Sequence, residues 1–134
     1  MSLFVDTSVW SLALRRDGPP HGAEVTRLVQ ALRSGELVLS TGLVLQELLQ
    51  GFHGPRDRDA ILDRISAIPF ITPDRQDHIE AAGLRNRCRR NGIQVGTIDT
   101  LFAQLCVRHD LQILTADADF TNIARHSALL VWGA

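Results

Sequence analysis

The sequence predicts an α/β fold built on a mainly parallel central sheet, and two observations carry that expectation. Short apolar runs of strand length alternate with longer stretches in which apolar residues recur every three or four positions. The runs are apolar throughout rather than alternating, which suits strands covered by helices on both faces, as parallel strands are. At 134 residues, 45% hydrophobic and 22% charged, with no internal repeat or linker, the chain reads as one domain over residues 1–134.

The elements follow in order. "LFV" (residues 3–5) is a buried strand closed by Asp6, and residues 7–14 form a helix. "RRDGPP" (15–20) breaks it, because Gly18 and two prolines cannot continue a helix. A second helix over 21–33 carries Val25, Leu28, Val29 and Leu32 at 3–4 spacing, with Gly35 placed as its stop. "ELVLS" (36–40) is a short strand. Ser40 or Thr41 then caps a helix running through Phe52, with Val44, Leu45, Leu48 and Leu49 as its apolar positions.

Residues 56–67 are helical, with Ile61, Leu62 and Ile65 inward. Pro69 and Pro73 bracket a brief strand, "FIT" (70–72). A long helix over 74–91 stops at the Asn91-Gly92 pair. Thr97 caps the next helix, whose Ile98, Leu101, Phe102, Leu105 and Cys106 form one stripe. "QILT" (112–115) is a fourth strand, 118–125 a short helix, and "LLVW" (129–132) a fifth strand. The pattern leaves strand order open.

Composition narrows the function. A net charge of −1 argues against indiscriminate nucleic-acid binding, and all 14 basic residues are arginine. Any phosphate contact must therefore use the planar guanidinium fork. No run approaches the ~18 apolar residues of a membrane span and no leader pattern opens the chain, so a cytoplasmic protein with no membrane contact is expected. Cys88 and Cys106 make no metal-type spacing and read as buried free thiols.

Acids sit where such folds bind ligands, beyond the carboxyl ends of the strands. Asp6 ends the first strand, and Asp117 and Asp119 follow the fourth in "LTADADF". Asp99 lies in the first turn of its helix, about 90° from the centre of the apolar stripe. Glu47 lies off the apolar centre of a leucine-rich helix. Singly, each has a plain structural explanation: Asp6 as an Asx-type turn, Asp99 as a helix-dipole partner, Asp117 and Asp119 as caps, Glu47 as a solvated face. The combination is harder to explain that way.

"FVDTSVW", Glu47 within an apolar helix, "IDTLFAQLC" and "ILTADADF" together resemble the PIN-domain ribonucleases, specifically the VapC-type toxins of bacterial toxin–antitoxin pairs. The resemblance spans nearly the whole chain. It implies an acidic quartet at Asp6, Glu47, Asp99 and Asp117, supported by a hydroxyl at Thr7 or Ser8, with Asp119 as an accessory. It further implies that Asp6, Asp99 and Asp117 hold Mg²⁺ or Mn²⁺ while Glu47 orients or deprotonates the attacking water. Cleavage of RNA would then leave a 5′-phosphate and a 3′-hydroxyl. A small antitoxin partner that blocks the site and a homodimer are implied as well.

Physical chemistry agrees with a cation. Carboxylate ligands suit the hard ions Mg²⁺ and Mn²⁺, and no Cys/His cluster of the zinc kind is present. Two carboxylates ~4 Å apart repel by about 4 kcal/mol at an effective dielectric near 20, a cost with little purpose unless a cation offsets it.

Two other functions compete. A Mg²⁺-dependent phosphatase of the haloacid-dehalogenase kind wants an acid two residues after the first Asp and a downstream lysine; here Ser8 holds that place and the chain has no lysine. A non-catalytic, metal-stabilised protein-binding module is the other, and an intact quartet argues against it. For RNA contacts, Arg15 and Arg16 after the first helix and Arg85 and Arg89 in "RNRCRR" are the candidates, although that segment's arginines spread around the helical wheel. Trp10 and Trp132 read as strand-pattern core residues. None of the five histidines has ligand spacing, and His109 reads as a core histidine.

Overall fold

Every strand pairing is parallel. In the computed structural model, which describes residues 2–15 and 22–134, β1 (Leu3–Val5), β2 (Val38–Leu39), β3 (Gln112–Leu114) and β4 (Leu130–Val131) form one sheet in the order β2-β1-β3-β4. Around it lie α1 (Thr7–Ala13), α2 (Gly22–Ser34), α3 (Gly42–Gly51), α4 (Pro55–Ile65), α5 (Arg75–Arg90), α6 (Thr97–Arg108) and α7 (Asp119–Ala124). Most of the expected break at 15–20 and the start of the second helix at His21 lie outside the described residues.

Leu3, Phe4 and Val5 are wholly buried because β1 is central and covered on both faces. Phe4 packs on Phe102 of α6 with ring centroids 5.3 Å apart. From β1 the chain goes to one side for β2, then crosses to the other for β3. The order reverses between β1 and β3, and this is where a parallel sheet opens a ligand crevice. The register pairs Val5 with Leu114, so Asp6 and Thr115 leave the sheet side by side.

Among the described residues four strands form, not the expected five. "FIT" contributes one bridge, Phe70 to Ser40, held by Ser40 N–H to Pro69 O at 3.1 Å and Ile71 N–H to Ser40 O at 2.8 Å. Pro69 and Pro73 have no N–H to extend a ladder, and Phe70 is 43% exposed. Glu36 also stays out of β2: its N–H is spent on Ala31 O at 3.0 Å, and its carboxylate accepts both Nη groups of Arg27, at 2.6 and 2.7 Å. That fork draws the Glu36 carboxyl down to about 2.

The apolar stripe read for the second helix is rotated. Val25, Leu28 and Ala31 are buried, while Val29 and Leu32 are exposed. Small Ala31, wholly buried, allows close packing on that face, and Arg27 pairs with Glu36 just past the helix end at 2.6 Å. Trp10 is core as expected, but it belongs to α1, not to a strand.

Caps also differ in detail. Thr41 does precede α3, without a side-chain cap bond, and Gly96 rather than Thr97 is the N-cap of α6. At α6 the hydroxyl of Thr100 instead reaches back to Gly96 O at 3.1 Å and Thr97 O at 3.0 Å. α5 opens with a capping box between Asp74 and Asp77 and stops where Gly92 takes φ +76. The α5–α6 pair, the most extensive helix contact, is tied by Arg108 to wholly buried Asp77 at 2.6 Å. Cys88 and Cys106 are buried free thiols, as expected. Among the described residues, no helix is long and apolar enough to cross a membrane.

Candidate active site at the sheet switch point

Asp6 is the residue on which the site is built. It is 5% exposed, and both of its carboxylate oxygens are held: Ser8 Oγ donates to Oδ1 at 2.6 Å, and Thr115 Oγ1 donates to Oδ2 at 2.9 Å. Each hydroxyl oxygen also accepts a backbone N–H from the loop after β3. Ala116 N–H reaches Ser8 Oγ and Asp117 N–H reaches Thr115 Oγ1, both at 2.9 Å. Burial pushes the Asp6 carboxyl above its ordinary value, against the lowering effect of Ser8, Thr115 and the Val9 N–H, and nearby Asp117 adds to the rise.

Asp117 and Asp119 lie at the end of that loop. Asp117 Oδ1 accepts the N–H of Asp119 at 2.9 Å, so the local-turn explanation of Asp117 holds beside any functional one. Asp99 comes from the first turn of α6 and is half-buried. One carboxylate oxygen from each of Asp99, Asp117 and Asp119 lies within 4.8 Å of the other two. The Asp99 carboxyl is pushed up to about 6, first by burial, then by Asp117, Asp119, Asp6 and Glu47. Five acids thus share one field.

Glu47 faces this group from α3. Its Oε1 accepts the hydroxyl of Thr7 at 2.6 Å, which couples the first turn of α1 to α3. Both hydroxyls weighed from the sequence are therefore used: Thr7 orients Glu47, and Ser8 orients Asp6. Such an all-oxygen set, with carboxylates gathered closely enough to raise one of their own pKa values, fits a hard divalent cation. It places Asp119 inside the three-carboxylate group and Asp6 behind it.

Thr115 is the site residue that sequence reasoning missed. Its place at the end of the "QILT" strand was legible, but the hydrogen bond to Asp6 spans 109 positions and depends on strand register.

The arginines are less gathered. Arg15 is exposed just past α1, and Arg16 lies outside the described residues. Arg85 donates from Nε to Val95 O at 3.0 Å, and Arg85 and Arg89 together flank a small cavity under residues 93–95. Arg87 points elsewhere, donating to His126 O at 2.8 Å. Trp132 packs against the core, as expected, but is only half-buried and also lines a groove beside Asp117.

Comparison with known proteins accords with this geometry. The PIN domain family profile matches residues 3–126. The chain is 30% identical over 125 residues to VapC ribonuclease Mb1587 of Mycobacterium bovis, covering 92% of each chain. The same identity and coverage relate it to Ribonuclease VapC11 of Mycobacterium tuberculosis H37Rv. Among solved structures, VapBC2 of Rickettsia felis, bound to a DNA fragment from its promoter, superposes with a TM-score of 0.77 at 18% identity. That match covers 98% of this chain and 97% of the other, and at such identity it speaks for the fold. With its acids at the switch point of a four-stranded parallel sheet and this likeness along most of its length, the chain belongs to the PIN-domain family, on the VapC-type branch.

Proposed function

We propose that the protein is a Mg²⁺- or Mn²⁺-dependent endoribonuclease acting as the toxin of a toxin–antitoxin pair. The observation that carries this reading is the convergence of Asp99, Asp117 and Asp119 oxygens within 4.8 Å, backed by buried Asp6. These residues would hold the ion. When bound, it lowers the pKa of water and neutralises phosphate oxygens, which is what hydrolysis of a phosphodiester requires.

The chain's own residues do the rest. Thr7 occupies Glu47 Oε1, which leaves Oε2 to take a proton from the attacking water. As the bond from water oxygen to phosphorus forms, the P–O3′ bond breaks and O3′ takes a proton from solvent water, giving a 5′-phosphate and a 3′-hydroxyl. Asp6 positions the Asp117 loop through Ser8 and Thr115. Arg85, Arg89 and Arg15, all at the surface, are the candidates for RNA backbone contacts.

A small antitoxin, seated over the acids with a cationic or bulky group, and a homodimer complete the reading. Its support is the VapBC structure to which the fold is similar, together with exposed apolar residues Val29, Leu32 and Leu37 that a monomer leaves uncovered.

Induced expression tests it. Wild type should arrest growth and yield new RNA 5′-phosphate ends, while Asp99→Asn should accumulate and do neither. Equal arrest by both proteins would refute the catalytic reading. Turnover of a generic phosphate monoester that depends on Asp6, with no RNA cut, would move the assignment to a phosphatase.

A further inference from the structure

We propose that Trp132 is a stacking platform for a base of the substrate strand next to the scissile phosphate; this rests on the ribonuclease reading above. Trp132 directly follows β4, and its N–H continues the ladder to Ile113 O at 2.9 Å. Because β4 lies beside β3 in a parallel sheet, Trp132 emerges at the same carboxyl edge as Asp117. A groove of about 250 Å³ joins the two, lined by Thr115, Asp117, Thr121, Trp132 and, from α2, Glu24. Asp117 of the acidic site thus borders one side of this groove and Trp132, half-buried against the core, borders another.

Its chemistry selects the moiety that enters. Among the described residues the groove's lining holds two acidic side chains, threonine hydroxyls and no cationic side chain, which disfavours a phosphate there. A neutral base is not disfavoured, and its N–H donors suit Glu24 and the Thr121 hydroxyl. Every base has a π-face for the indole to stack on. The other described aromatics do not serve: Phe4, Phe102 and Phe120 are wholly buried, Trp10 is 3% exposed, Phe52 follows α3, and Phe70 lies beyond the opposite edge strand, β2.

The test is a titration of the Asp99→Asn protein, which leaves RNA uncut, with a short fluorescein-labelled single-stranded oligoribonucleotide of mixed sequence. Anisotropy reports binding and indole emission reports stacking; buried Trp10 supplies a constant background. Binding should quench the emission. Trp132→Phe should keep most of the affinity and lose the quench, and Trp132→Ala should bind about 5- to 150-fold more weakly. In active protein, Trp132→Ala should raise KM far more than it lowers kcat. If RNA binds with no change in emission, or Trp132→Ala binds as tightly as wild type, this inference falls while the ribonuclease reading stands. If the protein neither binds nor cuts RNA, both fall.

Discussion

The Oγ1 of Thr115 stands 2.9 Å from buried Asp6 Oδ2, to which it donates, and accepts the N–H of Asp117 at the same distance. One hydroxyl thus carries the position of the first strand's acid to the acid that follows β3.

Thr115→Val keeps the shape and removes this link. It leaves a buried carboxylate oxygen and a loop N–H short of partners, so unfolding in urea should show a loss of about 1–3 kcal/mol. RNA cleavage should fall as well, because the loop holding Asp117 is no longer fixed. A variant with wild-type stability and activity would show that the link is incidental.

Asp6→Asn separates metal binding from the turn. The amide gives up one acceptor oxygen but relieves repulsion among the acids, so stability without metal should change by about 1 kcal/mol or less. The rise in melting temperature on adding Mn²⁺ should shrink, and cleavage should be lost. Full metal stabilisation in the mutant would reduce Asp6 to a turn residue.

Acid titration should report the crowding at Asp99. Its carboxyl is raised to about 6 in the folded chain against an ordinary value of 3.8, so the native state binds more protons between these limits. Its favourable share of stability is complete below pH 4 and is lost as pH rises through about 6. In EDTA, the melting temperature of wild type should fall relative to Asp99→Asn across that window, and Mn²⁺ should reverse the loss at pH 7. Parallel curves for the two proteins would contradict this.

Arg108 keeps Asp77 charged inside the α5–α6 contact. Burial raises the Asp77 carboxyl, but the Asp74 N–H, Arg108 and Gln104 more than offset it and leave it below the ordinary range. Arg108→Leu strands that charge. A fully buried pair would cost ~3–5 kcal/mol to break, and with Arg108 37% exposed the loss should be nearer 2–3. Adding Asp77→Leu should recover part of it in denaturant unfolding; a double mutant no better than the single would exclude a stranded charge as the cause.

Much of the chain was legible one segment at a time. The apolar runs of β1 and β3, the extent of α5 with its Gly92 stop and the acids Asp6, Asp99 and Asp117 at element ends are local patterns, set by backbone geometry and burial within a few residues. Tertiary structure decided what depends on partners far away in sequence. It chose which face of α2 is buried, left "FIT" at a single bridge, drew Asp119 into the carboxylate group and turned Trp132 to the groove. The reason is physical. Periodicity records how much surface a segment must hide, whereas strand register and helix roll decide which distant groups it meets, and the Asp6–Thr115–Asp117 link exists only once β1 and β3 have paired.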